Sequence, residues 1–229
     1  MLALLDGDIY AYRCAAASEN DPLDIAIFRV TDSIEQTLAA VGADSYQVWL
    51  SDKRENNFRR EIYPEYKANR TQPAPVHLDA VKQYLIDKWQ ANVALKQEAD
   101  DALGIQQMKG NFGDSIICSI DKDLKQIPGR HYNFVKQEFD DVSPTDGLRW
   151  FYKQLLIGDK SDNIFGVYGL GPKKTAALLD HINDEPTMYE VVASKYDSLD
   201  RLHINGKVLW IRQKEEQLWS PPIGRVVQN

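Results

Sequence analysis

Three short apolar runs in this sequence each end in an aspartate. They are residues 2–6, 45–52 and 114–121, which end in Asp6, Asp52 and Asp121. Each run is too short for a helix and is typical of a buried strand. Open α/β sheets bind their ligands beyond the carboxyl ends of their strands, so the three carboxylates are predicted to lie at the ligand-binding edge of a sheet.

The rest of the chain alternates between helix and strand patterns. Apolar residues recur every three or four positions in 24–41, and further helices are predicted after Gly7 and over 76–89. Residues 92–95 and 130–134 are predicted to be strands. Such alternation predicts an α/β fold with a mostly parallel central sheet flanked by helices. With 229 residues, 43% of them hydrophobic, the chain can form a sizeable core.

Composition argues against a membrane protein, a disulfide-rich protein and a simple nucleic-acid-binding protein. No run of apolar residues approaches the length of a membrane span, and no basic segment of a signal peptide opens the sequence, so we expect a cytoplasmic protein without a membrane partner. Two cysteines are too few for a disulfide framework. The net charge of −7 argues against a nucleic-acid partner unless bound metal ions neutralise several acids.

Residues 98–123 concentrate acidic side chains at two points. Three of the acids crowd the start of a predicted helix and two follow the strand of residues 114–120; they are Glu98, Asp100, Asp101, Asp121 and Asp123. Five neighbouring carboxylates repel one another unless they are protonated or bind cations, and oxygen ligands favour Mg²⁺ or Mn²⁺ over zinc. The alternative for each cluster alone is a solvated helix start or an acidic turn.

Residues 53–70 combine basic and aromatic side chains. Six basic and three acidic residues are interleaved with Phe58, Tyr63 and Tyr66, a composition that suits the binding of phosphates and the stacking of bases. The alternative is an exposed polar connection. Because the segment directly follows Asp52, we favour the functional interpretation.

Residues 158–179 combine acids, glycines and lysines. Asp159 and Asp162 precede a glycine-rich turn, and a helix begins at Pro172. The pattern predicts two helices joined by a glycine hairpin, whose backbone N–H groups can bind a phosphate without contacting bases. The residues assigned to this contact are Gly169, Gly171, Lys173 and Lys174. A glycine pattern alone would more often be a structural turn.

Together these motifs resemble those of the 5′-nuclease family. The matching pieces are Leu-Leu-Asp-Gly-Asp, Phe-Arg-Arg-Glu-Ile-Tyr-Pro-Glu-Tyr-Lys-Ala-Asn-Arg, Glu-Ala-Asp-Asp, Ser-Ile-Asp-Lys-Asp-Leu and Gly-Asp-Lys-Ser-Asp-Asn-Ile-Phe-Gly-Val-Tyr-Gly-Leu-Gly-Pro-Lys. The family includes flap endonucleases, the nuclease domains of bacterial DNA polymerase I and bacteriophage 5′-to-3′ exonucleases. The compact size and the tryptophan-containing tail look most like a phage exonuclease.

The resemblance implies a PIN-like nuclease core with two divalent ions, Mg²⁺ or Mn²⁺, roughly 4 Å apart. The first ion would lie among Asp6, Asp52, Glu98, Asp100 and Asp121. The second would bind Asp123 and Asp162, with Asp121 or Asp100 between the two ions. Asp101 and Asp159 would form the outer shell. A K⁺ ion at the glycine hairpin is a further candidate.

The resemblance also implies DNA-contacting residues. Lys67 and Arg70 match basic residues that the family directs at the scissile phosphate, where a cation offsets charge developing in the transition state. Tyr66 matches an aromatic residue that stacks on a terminal base. Arg59 is a weaker candidate for the phosphate contact.

We therefore predict a metal-dependent 5′-3′ exonuclease and structure-specific flap endonuclease, with Asp121 as a catalytic ligand. The expected substrate is DNA with 5′ ends, flaps or nicks, or RNA annealed to DNA, and the expected state is a monomer. Residues 1–155 would form the nuclease core, with a short arch at about 53–75, and 156–229 a helix-hairpin-helix region with C-terminal helices. The alternatives are an inactive module that binds branched DNA and a single-strand ribonuclease of the same core fold.

Predictions for the C-terminal region are sparser. A helix is favoured over residues 199–218 although Asn205-Gly206 could form a hairpin turn, and Trp210 and Trp219 are assigned to the core or to a docking surface. The last residues, 220–229, are expected to fray.

Overall fold

The computed structural model describes residues 1–222 and is built on a six-stranded sheet. The spatial order of the strands is β3-β2-β1-β4-β5-β6, and every neighbouring pair is parallel except β5 and β6. The strands are β1 (Leu2–Asp6), β2 (Ser45–Ser51), β3 (Asn92–Ala94), β4 (Ser115–Cys118), β5 (Gly129–Asn133) and β6 (Glu138–Val142). The mostly parallel α/β sheet predicted from the alternating patterns is thus confirmed.

The central pair of strands defines the ligand-binding edge. β1 and β4 are parallel neighbours with Leu5 opposite Cys118, so the chain leaves both strands at the same edge. All four residues of β4 are buried, as are the last four of β1. Because the two strands are apolar except at their ends, the chain places Asp6, at the end of β1, and Asp121, after β4, at this edge of the sheet.

Helices cover both faces of the sheet and form the C-terminal region. They are α1 (Gly7–Ala17), α2 (Leu23–Val41), α3 (Phe58–Ile62), α4 (Leu78–Trp89), α5 (Ala99–Gln107), α6 (Pro144–Ile157), α7 (Pro172–Leu179), α8 (Glu185–Ala193) and α9 (Leu199–Leu209). Two 3₁₀ helices, Arg54–Asn56 and Lys122–Gln126, and a small antiparallel pair, β7 (Gly158–Asp159) and β8 (Ile164–Phe165), complete the described elements.

The two faces of the sheet carry separate hydrophobic clusters. On one face α1 and α4 pack against the sheet and α2 packs against these two helices, in a cluster that includes Tyr10, Val30 and Leu85. On the other face α5 packs against β1, β2 and β4, with Leu103 among the buried residues. Ile211, from beyond the last helix, joins this second cluster, so the C-terminal region contributes to the core under the sheet.

A third cluster unites the C-terminal helices. It includes Phe151 and Tyr152 of α6, Tyr66 from the segment before α4, and both predicted core tryptophans, Trp210 and Trp219. Because α6 spans residues 144–157 and packs with the C-terminal helices, the cluster crosses the boundary predicted between residues 155 and 156. That boundary stays a prediction. None of the helices in residues 1–222 is long and apolar enough to cross a membrane.

Several local predictions need correction. The glycine segment does not directly join two helices, because β7 and β8 intervene between α6 and α7. The C-terminal helix contains Asn205-Gly206, as favoured, but ends at Leu209 rather than continuing to 218. β6 was not predicted, since four of its five residues are exposed and its sequence is largely acidic. The fraying expected for 220–229 lies mostly outside the described residues.

Candidate active site

Carboxylates from three elements meet beyond the central strands. Asp6 ends β1, Asp121 precedes the 3₁₀ helix after β4, and Asp100 lies in the first turn of α5. Ser119 connects the first two: its hydroxyl donates to Asp6 Oδ2 at 2.6 Å and accepts from the Asp121 backbone N at 3.0 Å. The Ile9 backbone N donates to the other Asp6 oxygen. The structure therefore brings together three of the predicted ligands of the first ion.

Burial and the repulsion between neighbouring negative charges raise the pKa values of these three carboxylates. Burial, followed by the charges of Asp8 and Asp121, raises the pKa of Asp6 to about 7, although the Ser119 bond opposes this. Burial and the neighbouring Asp6 and Asp121 raise the pKa of Asp100 well above its usual range. Burial raises the pKa of Asp121 as well. A bound divalent cation would relieve this repulsion.

A second acidic group adjoins the first through Asp121. Burial and then the charges of Asp121 and Asp159 raise the pKa of Asp123 to about 8. The pKa of Asp159 is lowered, because bonds from the Ser161 hydroxyl and backbone N outweigh burial. Asp162 also acts on Asp121 by charge repulsion. These acids come from the 3₁₀ helix and the β7–β8 connection, so the structure joins two distant sequence motifs.

Basic residues before α4 contact these acids directly. Lys67 Nζ lies 2.5 Å from Glu98 Oε1 and 3.6 Å from Asp162 Oδ2, and Arg70 Nη2 lies 2.7 Å from Asp162 Oδ1. Burial would raise the pKa of Glu98, but Lys67 and Arg59 outweigh it and lower the pKa to about 2. Lys67 and Arg70 therefore lie beside the carboxylates, the position expected of residues that contact a phosphate bound at this site.

The donor set fits hard divalent cations. Within residues 1–222, no group of three or more His, Cys, Asp or Glu side chains has a geometry that could hold a metal ion. Glu98 and Asp162 form ion pairs with Lys67 and Arg70. The pKa values of Asp6, Asp100 and Asp123 are raised, because burial and neighbouring carboxylates outweigh the hydrogen bonds and lysine charges that oppose them. All of these donors are carboxylate oxygens, which Mg²⁺ and Mn²⁺ prefer.

Arg59 and Asp101 form a buried ion pair instead of contacting ligands. Arg59 is 2% exposed and donates to both Asp101 oxygens at 2.5 and 2.8 Å. Asp101 is 0% exposed and also accepts from the Glu98 backbone N. The prediction that Arg59 binds DNA is therefore wrong, because its guanidinium cannot reach solvent. Both Asp101 oxygens are engaged by the Arg59 guanidinium, so Asp101 does not face an ion directly, and its bond from the Glu98 backbone N holds the start of α5.

Tyr66 and Asp52 also differ from expectation. Tyr66 is 2% exposed and donates its hydroxyl proton to Glu98 and Asp162, each at 2.9 Å, so its ring cannot stack on a terminal base. Asp52 accepts from the backbone N of Lys96 at 2.8 Å and of Lys53 at 2.7 Å, and these bonds lower its pKa. Its carboxylate orders the loop after β2, and it is not among the charges that shift the pKa of Asp6.

The glycine-rich turn presents the start of α7. Gly169 has φ 78°, the left-handed region, and nothing lies within 4 Å of the place where a Cβ would stand. Gly171 is the N-cap and offers no side chain to the first N–H groups of α7. Lys174 Nζ donates to the Gly169 carbonyl at 3.0 Å, and Lys173 is exposed. The predicted phosphate-contacting residues are thus adjacent, and their role stays a prediction.

Sequence reasoning missed two buried glutamines behind the acids. Gln154 Nε2 donates to Asp123 Oδ1 at 2.8 Å, and Gln126 Nε2 donates to Gln154 Oε1 at 2.6 Å. It also missed the link from Ser119 to Asp6. Ser119 could have been noticed from its place two residues before Asp121, but nothing in the sequence marks the glutamines.

The model of the family described as the 5′-3′ exonuclease, N-terminal resolvase-like domain matches residues 1–151, which is 151 of the 229 residues. The chain belongs to this family. Among curated proteins, the chain is similar to the flap endonuclease Xni of Shewanella baltica, 28% identical over 162 residues, which cover 64% of this chain and 61% of the relative. DNA polymerase I of Caldicellulosiruptor bescii is 29% identical over 88% of this chain, which covers 26% of that protein. The chain therefore spans less than two thirds of the length of these relatives.

A solved structure gives the same fold. The D15 flap endonuclease of bacteriophage T5, in a complex with DNA and metal ions, aligns with a TM-score of 0.63 at 18% identity and covers 91% of this chain and 85% of its own. At this identity the match supports the architecture of the exonuclease family core, including its extension beyond residue 151.

Proposed function

We propose that this 5′-3′ exonuclease family member is a metal-dependent 5′-3′ exonuclease and structure-specific 5′-flap endonuclease that hydrolyses phosphodiester bonds of DNA. The observation that carries the proposal is the meeting of Asp6, Asp100 and Asp121 with Asp123 at one sheet edge, beside Lys67. Membership of the family and the names of its flap endonuclease relatives support the same activity.

Different side chains of the site can take different roles in an in-line displacement at phosphorus. Two divalent ions, when bound by the acids, would activate a water and stabilise the leaving oxygen. Lys67 and Arg70 would bind the scissile phosphate, since both extend from one segment over the carboxylates. The backbone N–H groups at the start of α7, with Lys173 and Lys174, would hold the duplex beyond the cut.

The proposal extends to the ions, a second substrate and the location of the protein. We propose Mg²⁺ or Mn²⁺ as the ions because the donors are carboxylates, K⁺ as the ion at the glycine turn, and RNA–DNA hybrid as a second substrate. We further propose a cytoplasmic monomer in a bacterial or phage-infected cell, since the relatives are bacterial and the structural neighbour comes from a phage.

Cleavage of a 5′-labelled flap duplex, with and without Mg²⁺, tests this function. We expect Mg²⁺-dependent release of short products from flaps and shorter ones from nicked or blunt ends. Asp121→Asn should abolish cleavage while the variant still binds the flap, and Asp141→Asn, which alters an exposed acid of β6, is the matched control. Binding without cleavage by the wild-type protein would favour the inactive branched-DNA module. A preference for free single-stranded RNA would favour the ribonuclease.

A further inference from the structure

Side chains make five hydrogen bonds to the backbone of the chain as it leaves α9, in addition to the bond from the Trp210 backbone N to the Gly206 carbonyl. We call Val208–Arg212 the C-terminal strap. Its bonds are Arg59 Nε to the Val208 carbonyl at 2.8 Å, Gln126 Nε2 to the Leu209 carbonyl at 2.8 Å, Arg59 Nη2 to the Trp210 carbonyl at 2.8 Å, the Ile211 N to Gln126 Oε1 at 3.1 Å and the Arg212 N to Asp101 Oδ1 at 3.0 Å.

The partners of the strap are deeply buried. Gln126 is 1% exposed, and it lies with Arg59 and Asp101 in the interior. The carbonyls at the end of a helix lack partners within the helix, so buried side chains must supply the donors. If the strap moved away, these buried polar groups would lose their hydrogen-bond partners, which would cost the protein much of its folding free energy.

One path leads from the strap to the second acidic group. Ile211 N is only a donor, so the Gln126 amide must turn its oxygen toward it and its NH₂ toward Gln154. Gln154 then accepts with its oxygen, which directs its own NH₂ at Asp123 Oδ1. Reversal of either amide would place a carbonyl oxygen against an acceptor. The backbone of the strap therefore determines which atom of Gln154 faces Asp123.

We propose that Gln126 and Gln154 are positioning residues, through which the C-terminal strap holds Asp123 in the orientation needed for the second divalent cation. This rests on the proposed function, since it assumes that Asp123 binds an ion. The donor from Gln154 fixes one oxygen of Asp123 although Asp121 and Asp159 repel the carboxylate. Groups that orient a ligand in this way influence metal affinity without touching the metal.

Mn²⁺ titration of the full chain, followed by electron paramagnetic resonance, tests the path without relying on activity. We expect the wild-type protein to bind two ions. Gln154→Met, which keeps the length of the side chain but removes its amide, should weaken one of them about tenfold or more and leave the other within about twofold. Gln126→Met should weaken the same ion, and the double variant should lose no more than the stronger single variant, because both residues act on one path.

Gln107→Met is the matched control. Gln107 is also a buried glutamine that bridges elements, accepting from the Ser115 hydroxyl at 2.6 Å and donating to the Arg130 carbonyl at 3.0 Å at the far end of α5. It should lower the melting temperature as the other variants do, yet bind both ions normally. Wild-type Mn²⁺ affinities in a folded Gln154→Met or Gln126→Met variant would overturn the inference. A wild-type protein that binds no Mn²⁺ would instead refute the proposed function on which it rests.

Discussion

Removal of the Arg59 guanidinium should destabilise the whole fold. In Arg59→Met, Asp101 keeps its complete burial but loses both charged hydrogen bonds, and the Val208 and Trp210 carbonyls lose their donors. Breaking a buried ion pair by removing one partner typically costs about 3–5 kcal/mol. Total stabilities of domains are roughly 5–15 kcal/mol, so this loss is a large fraction.

Urea unfolding followed by tryptophan fluorescence measures the effect. In a parallel thermal scan of a chain of this size, each kcal/mol shifts the melting temperature by roughly 2–4 °C, so we expect a decrease of about 10 °C. Arg60→Met, at the adjacent and more exposed position, should change the free energy of unfolding by less than about 1 kcal/mol. The double variant Arg59→Met/Asp101→Leu should recover part of the loss, because it leaves no unpaired buried charge. A loss below about 1 kcal/mol in Arg59→Met would contradict the assignment of a buried, fully engaged pair.

Three other outcomes follow from the site and the packing. The pKa values of Asp6 and Asp123 are raised from 3.8 to about 7 and about 8. Between these values the folded chain keeps protons that the unfolded chain releases. The free energy of unfolding without metal should therefore fall as pH rises from about 4 to 8. Calorimetry should accordingly show a larger Mg²⁺-induced increase in melting temperature at pH 8 than at pH 5.5, and an equal increase at both would contradict it. Lys67→Ala should reduce kcat on a flap substrate about 10²-fold while Mn²⁺ still binds, and unchanged single-turnover rates would exclude its role at the phosphate. Gly206→Val should lower the free energy of unfolding by about 1–3 kcal/mol, since a Cβ there would stand 2.1 Å from Trp219; a wild-type urea midpoint would disprove this contact.

The sheet and its acidic edge could be predicted because the sequence carries the signals locally. Short apolar runs predict β1, β2 and β4, and the acids that follow β1 and β4 lie together because the strands are parallel neighbours. Asp52 follows the same rule in the sequence, but its carboxylate accepts from the backbone N of Lys53 in its own loop and of Lys96 between β3 and α5. The sequence alone does not distinguish a carboxylate that joins the acidic site from one that binds backbone N–H groups.

Burial of polar side chains could not be predicted from the pattern. Arg59 and Tyr66 lie in a stretch rich in charge, which indicates solvent or ligand contact, yet both are buried by elements that come much later in the chain. The glutamines behind Asp123 have no periodicity that marks them. Their positions depend on tertiary contacts with the C-terminal strap, which local propensity does not contain.

The two outer strands of the sheet have a consequence for self-association. β3 has only three residues, and β6 places Asp140 and Asp141 along the opposite margin. The unpaired backbone groups of an outer strand can hydrogen-bond to a strand of another chain and so extend the sheet. A short outer strand or charged side chains along it disfavour this pairing. Neither margin offers a long neutral template, so concentrated protein should resist stacking into extended β assemblies, and replacing both aspartates with valine should remove that protection.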